Sequence, residues 1–240
     1  MKIPIVRGII DRRILINFAV DLDVAKTIVP APFTPKSVNG KAIAGICLIR
    51  LKQVRPKGLP AIAGVGSENG AHRIAVEWTE NGKTKEGVYV PRRDTSSRFN
   101  AIVGGRVFPG IHHHANFDVK EQDGKYHVAF KSSDGATISV DATITNDLNP
   151  ESIFKDLPTA SAFFKAGSSG YSPNGNTYEG LFLNTYTLDV KPLEVNNLKS
   201  SYFENELVFP KGSIRFDNAL LMTNIEHEWS SIPDRRLHWL

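Results

Sequence analysis

The sequence predicts a mainly β chain with a few short helices, folded as one mostly antiparallel domain over residues 1–240. Three observations carry that prediction. Asn81-Gly82 stands between two β-prone runs, residues 72–78 and 88–90, and Asn-Gly supplies the positive-φ positions that a tight hairpin needs. Ala136, Ile138, Val140, Ala142 and Ile144 alternate with Thr137, Ser139, Asp141 and Thr143, the period of a strand with one face in a core. The first half of residues 41–54 is apolar at every position, as expected of a strand buried on both faces.

Taken in order, residues 14–20 read as a strand. Asp21 or Asp23 then offers a helix cap, and a short helix through residues 24–29 stops at Pro30, whose ring cannot continue it. Residues 31–35, with Pro32 and Pro35, run extended. Arg50 and Lys52 mark one face near the exit of the strand at 41–54. Residues 58–70 read as a glycine-rich approach to the first hairpin, which puts Glu68 in a turn. A second hairpin spans residues 126–144 and turns at Asp134-Gly135. Asn149-Pro150-Glu151 marks a helix start, and Pro158 splits that region so that a second helical piece covers 159–166 and ends at Gly167. Residues 168–180 read as a polar, glycine-rich loop over a cavity, carrying Tyr171 and Tyr178. β-like runs at 181–190 and 213–216, turns at Pro192 and Pro210, and a stretch at 220–229 readable as strand or helix complete the chain.

Charge and composition exclude several classes of function. The net charge of +4 comes from 29 basic and 25 acidic residues. The basic residues are scattered, as in Arg12-Arg13, Arg92-Arg93 and Arg235-Arg236, which is no nucleic-acid footprint. Arg92-Arg93-Asp94 reads as an exposed or interfacial ion-pair turn. The one cysteine, Cys47, rules out an internal disulfide and reads as a small buried hydrophobe in a reducing compartment. No run approaches the roughly 20 apolar residues of a membrane helix, and residues 1–10 show no leader pattern. The expectation is a cytoplasmic protein with no cofactor and neither nucleic acid nor membrane as partner.

The most unusual stretch is residues 104–117, where three glycines, a proline, Arg106 and the run His112-His113-His114 fall between β-like runs. Its surroundings resemble acetoacetate decarboxylase. Phe18-Ala19-Val20-Asp21-Leu22-Asp23-Val24 running into Val29-Pro30-Ala31-Pro32 is similar to the opening of that family, and Gly66-Ser67-Glu68-Asn69 resembles the segment holding an active-site glutamate. Gly105-Arg106 followed by Pro109-Gly110-Ile111-His112-His113-His114 resembles its glycine-arginine motif, with His113 and His114 standing where two adjacent lysines would be. The second half, including Gly170-Tyr171-Ser172-Pro173 and His227-Glu228-Trp229, looks more like an uncharacterised group of the same fold, the YqjF-like proteins. The resemblance implies a cone-shaped, largely antiparallel β-barrel with a closed interior site, and a homo-oligomer. It also implies that Arg12 or Arg13 stands where the family has its active-site arginine.

The departure from the family decides the chemistry. The lysine of acetoacetate decarboxylase forms a Schiff base because a neighbouring cation lowers its pKa. Imidazole has no primary amine and forms no such imine. Candidate catalytic residues are therefore His113, His114 and Glu68, with a histidine as general acid or base and Glu68 orienting it. Candidate substrate-binding residues are Arg12, Arg13, Arg106, His112 and Tyr171, for a small anionic or carbonyl-bearing ligand. In a strand His112 and His114 share one face and His113 takes the other. Alternatives for the run are structural histidines, or His112 and His114 holding a metal with a carboxylate, although no spaced third ligand is evident. Two functions follow: a non-catalytic protein with an internal small-molecule cavity, or a diverged lyase, hydrolase or isomerase built on a His/Glu pair and arginine.

Overall fold

The computed structural model describes residues 5–98, 109–185 and 189–236, with side chains up to 232. Among the described residues are thirteen strands in one sheet, two α-helices and a 3-10 turn at Ala61–Ala63: β1 (Val6–Asp21), α1 (Leu22–Ile28), β2 (Thr34–Pro35), β3 (Ser37–Val38), β4 (Lys41–Pro56), β5 (Val65–Glu80), β6 (Lys83–Thr95), β7 (His112–Gln122), β8 (Lys125–Ser132), β9 (Thr137–Ile144), α2 (Leu157–Ala166), β10 (Ser169–Asn174), β11 (Thr177–Thr185), β12 (Lys191–Ser200) and β13 (Ile214–Arg236). The chain is mainly β with minor α. No helix among the described residues is long and apolar enough to cross a membrane.

The sheet closes on itself twice. Strands follow the order β11-β10-β6-β7-β8-β9-β12-β13-β1-β4-β5-β2, and β11 also pairs with β13 while β5 pairs with β6. A first ring therefore runs β1-β4-β5-β6-β10-β11-β13. A second runs β1-β4-β5-β6-β7-β8-β9-β12-β13, so the long strands β1, β4 and β5 wall both interiors. Pairing is antiparallel except at two places, where β6 runs parallel to β7 and to β10. Closure explains why β1 and β4 are apolar at successive positions: Ile14, Ile16, Ala44, Ile46 and Leu48 fill one face while Leu15, Ile43 and Cys47 fill the other. At about 25 cal/mol per Å² of apolar surface removed from water, these walls supply stabilisation on both sides at once.

Several expectations change in three dimensions. The region read as a glycine-rich approach is largely strand: Ser67, Glu68 and Asn69 lie inside β5. Gly70 is there for packing, since a Cβ would stand 2.8 Å from the Phe130 ring. Asn149-Pro150 starts no helix; the Asn149 amide instead donates to the Asp217 carbonyl at 2.6 Å. Pro158 opens α2 rather than splitting it, behind an Asp156 side chain that accepts from the Thr159 amide. Residues 168–180 form most of the β10–β11 hairpin and so are wall, not lid. Pro192 sits within β12, and 220–229 is one part of the continuous strand β13. Arg92-Arg93-Asp94 is strand as well.

Candidate ligand cavity

Cross-strand register assembles a row of chemistry on the face turned into the first ring. Cys47 pairs with Ala71, Ala71 with Arg93, and Arg93 with His112. Directly opposed residues present their side chains to one face. A neighbouring row, Asn17, Gly45 and Arg73, lies to one side, and Arg13, Ile49 and Asn69 lie to the other. These rows bound a cavity of about 120 Å³, capped by Phe163 and Phe164 of α2 and by Trp229 of β13. A space of about 60 Å³ shares Ala71, Arg93 and Trp229 with it and extends to Asn69 and His112. At roughly 30 Å³ per water in the liquid, the larger space suits a ligand of a few heavy atoms.

Positive charge dominates this interior. Arg73 donates from Nη2 to Asn17 Oδ1 at 2.5 Å and from Nε to Cys47 Sγ at 3.0 Å, with its guanidinium over the Phe164 ring at 5.0 Å. Arg93 donates from Nε to Ser172 Oγ at 3.0 Å. Arg13 points Nη2 at Cys47 Sγ from 3.9 Å, and its buried Nε has no hydrogen-bond partner. Among the described residues, none of the three forms an ion pair with a carboxylate. Burial pushes the Arg93 guanidinium down to about 10 and draws Arg73 in the same direction. For Cys47 burial acts upward, but Arg73 and Arg13 together outweigh it and hold the thiol below its ordinary value. Burial, aided by Arg93, pushes His112 down to about 4. Its Nδ1 lies 3.1 Å from the Gly110 carbonyl, so the neutral ring donates there and turns its lone pair to Nε2. Lys36 also reaches the cavity edge, where Glu86 holds its ammonium at 2.5 Å above the Phe163 ring.

The opposite face of the same strands carries charges that are all paired. Arg12, Arg50 and Glu68 form one row across β1, β4 and β5. Arg12 bridges Glu68 and Glu121 at 2.5 Å each, and Arg50 bridges the same two carboxylates at 2.5 and 3.0 Å. Next to this network, Arg92 chelates Asp94 and Asp134, and Ser132 donates to Asp94. The Arg92 hydrogen bonds hold the Asp134 carboxyl well below the usual carboxylate range.

The predicted site residues are thus divided between the two interiors. Arg13 lines the larger cavity and His112 the smaller space beside it. Arg12 and Glu68 belong to the ion network across the wall, both oxygens of Glu68 being taken by guanidinium groups. His113 lies on that side too, 3.4 Å from Asp134. Glu68 and His113 stand two strands apart on one face, and each has other partners: Glu68 is held by Arg12 and Arg50, and His113 lies beside Asp134. His114 shares the face of His112, as predicted from alternation. Tyr171 is 3% exposed and packs against Phe33 and Trp78 on the outer face of the first ring, away from the cavity. Arg106 lies outside the described residues. No group of three or more His, Cys, Asp or Glu among the described residues is placed to hold a metal.

Sequence reasoning missed Arg73, Arg93 and Cys47. Their signal was available only as parity: Cys47 and Arg73 fall on alternate positions of runs buried on both faces, and parity alone does not say which interior each face lines.

Comparison with known proteins agrees with this architecture. A family model described as an uncharacterized conserved protein, DUF2071, matches residues 10–212. The chain belongs to that family. Among solved structures, acetoacetate decarboxylase from Legionella pneumophila superposes with a TM-score of 0.64 at 10% identity, covering 97% of this chain and 88% of that one. The enduracididine biosynthesis enzyme MppR complexed with pyruvate gives 0.61 at 9% identity, covering 99% and 91%. An acetoacetate decarboxylase-like enzyme from Sphingomonas wittichii RW1 gives 0.59 at 10% identity, covering 98% and 93%. This member of DUF2071 therefore has the acetoacetate decarboxylase-like fold. A search of curated protein sequences finds no match.

Proposed function

We propose that this protein binds a small carboxylate inside the first ring without forming a lysine imine. One observation carries the reading: Arg13, Arg73 and Arg93 enter a single cavity and none forms an ion pair with a carboxylate among the described residues, Glu179 acting on Arg93 only at longer range while its oxygens accept from Gly110 and Asn174. Burying unpaired charge costs several kcal/mol per ion after relaxation, and an anionic ligand offsets that cost through charge-assisted hydrogen bonds. Most of the remaining wall is apolar, from Ile49, Val88 and Val90 to Phe163, Phe164 and Trp229, with the Lys36–Glu86 pair and Ser168 as the polar exceptions, so the ligand is a carboxylate with a short apolar or carbonyl-bearing body. Pyruvate in the similarly folded MppR is of this size and charge. Lysine chemistry has little to work with here, since Lys36 is engaged by Glu86 and Lys120 of β7 stands on the surface beside Asp118.

Calorimetric titration with pyruvate, acetoacetate and the neutral isostere pyruvamide tests the reading. Both anions are expected to bind and pyruvamide to bind at least tenfold more weakly, about 1.4 kcal/mol. Equal affinity for pyruvamide, or none for any carboxylate, overturns it. Borohydride treatment in the presence of acetoacetate is expected to leave every lysine unlabelled; a stable adduct on Lys36 would restore imine chemistry.

A further inference from the structure

The thiol of Cys47 has a setting that the carboxylate-binding reading does not use. It is the chain's one cysteine and is 4% exposed, but it does not lie among hydrocarbon alone. Its sulfur accepts from Arg73 Nε at 3.0 Å, faces Arg13 Nη2 at 3.9 Å, and shares a cross-strand row with Arg93 and His112. It also lines the cavity. A buried structural cysteine sits among apolar side chains and is inert, whereas guanidinium neighbours favour the thiolate, the form that attacks electrophiles. The same guanidiniums would hold a ligand carboxylate within reach of that sulfur.

The geometry points to Cys47 as the nucleophile of this cavity, capturing the carbonyl carbon of a small 2-oxo carboxylate as a reversible thiohemiketal while Arg13, Arg73 and Arg93 hold its carboxylate. This rests on the carboxylate-binding reading and adds a covalent step to it. The sulfur lone pair forms the S–C bond, the π pair of the C=O bond moves to oxygen, and the oxyanion takes a proton from water. Nothing is oxidised or reduced, and expulsion of the thiolate reverses the step. A tetrahedral oxyanion beside three guanidiniums is the charge distribution such a site stabilises. No lysine takes part.

Intact-mass labelling of the full chain reads this without background, because only one thiol is present. Iodoacetate and iodoacetamide both alkylate by forming S–C and releasing iodide, but only the first carries a carboxylate. Relative to N-acetylcysteine, Cys47 is expected to favour iodoacetate over iodoacetamide by roughly tenfold or more, the range over which a like-charged cleft concentrates its counter-ion. Pyruvate is expected to slow both reagents. With [2-¹³C]pyruvate, the carbonyl resonance is expected to give a tetrahedral-carbon signal that is lost in Cys47→Ser. Absence of labelling before unfolding, a preference for iodoacetamide, or no signal that depends on Cys47 overturns the inference. If pyruvate binds and the thiol stays inert, the covalent step fails and the binding reading stands. Should pyruvate neither bind nor protect, both fail.

Discussion

Arg12 and Arg13 are neighbours in sequence and opposites in circumstance. Arg12 is 1% exposed and closes a network with Glu68, Glu121 and, through them, Arg50. Across the wall, Arg13 meets a thiol and no carboxylate; each of the two arginines leaves a buried Nε without a partner, so the counter-charge is what differs. The second interior pairs its guanidiniums with carboxylates directly, and the first holds Arg13, Arg73 and Arg93 without an ion pair among the described residues. On the proposed reading, counter-charge and not burial separates the structural arginine cluster from the binding one.

The sharpest way to break the comparison is Glu68→Gln. It strips Arg12 and Arg50 of one of their two shared carboxylates; because Glu121 still bridges both, the loss is that of charge-assisted hydrogen bonds, about 1.5–3 kcal/mol. Urea unfolding is expected to show that loss, while the folded fraction still binds pyruvate. A drop in affinity without loss of stability would make Glu68 part of the ligand site.

Acid should strain both sides alike, since each buries a neutral imidazole. Burial, aided by Arg92, pushes His72 down to about 3, and burial pushes His227 down to about 4, from an ordinary 6.5. The unfolded chain therefore binds more protons below pH 6.5, so stability is fully present above that value and falls as pH drops toward about 4. Each group contributes on the order of 3 kcal/mol across the window. Urea midpoints that stay constant from pH 7 to 4.5 would contradict this burial.

Arg93→Met should behave in the reverse manner to Glu68→Gln. Losing a charge-assisted contact of about 1.5–3 kcal/mol weakens pyruvate roughly 10- to 150-fold. Replacing an unpaired buried charge with an apolar side chain leaves stability unchanged or raised. Calorimetry and urea unfolding on one preparation check both. The smallest effect belongs to Lys36→Gln at the cavity edge, where a partly exposed ion pair with Glu86 is worth about 0–1 kcal/mol. Pyruvate affinity within twofold of the parent is expected; a tenfold loss would move Lys36 into the binding set.

Much of the fold was legible, because local signals coincide with the final structure. Asn81 and Gly82 both have the positive φ their turn requires, Gly135 turns the second hairpin, and β9 alternates as written. The errors share a cause. Gly66 and Gly70 look like loop glycines, yet Gly70 is a strand residue making room for Phe130 from a distant hairpin. Likewise Asn149 and Pro158 carry helix-start chemistry, and only tertiary contacts with Asp217 and the cap at Asp156 decide which of them starts one. At the site, the motif led to Arg13 and His112. It also drew in Arg12, Glu68 and His113, which are close in sequence to the cavity and lie behind its wall. Arg73 and Arg93 were invisible because ring closure, not local pattern, turns their faces inward.

The shared wall has a consequence for how this protein can diverge. Alternate positions of β1, β4 and β5 face different interiors, so substitutions at 13, 47 and 73 rewrite the cavity while 12, 48 and 68 keep the scaffold. Insertions have no such freedom. One residue gained in β1 between the irregularities at Ile10/Arg12 and Asn17/Phe18 would carry Arg12 and Arg13 to each other's side, dismantling both interiors at once. Point substitutions can therefore rewrite one interior at a time, whereas a change in the length of these strands disturbs both.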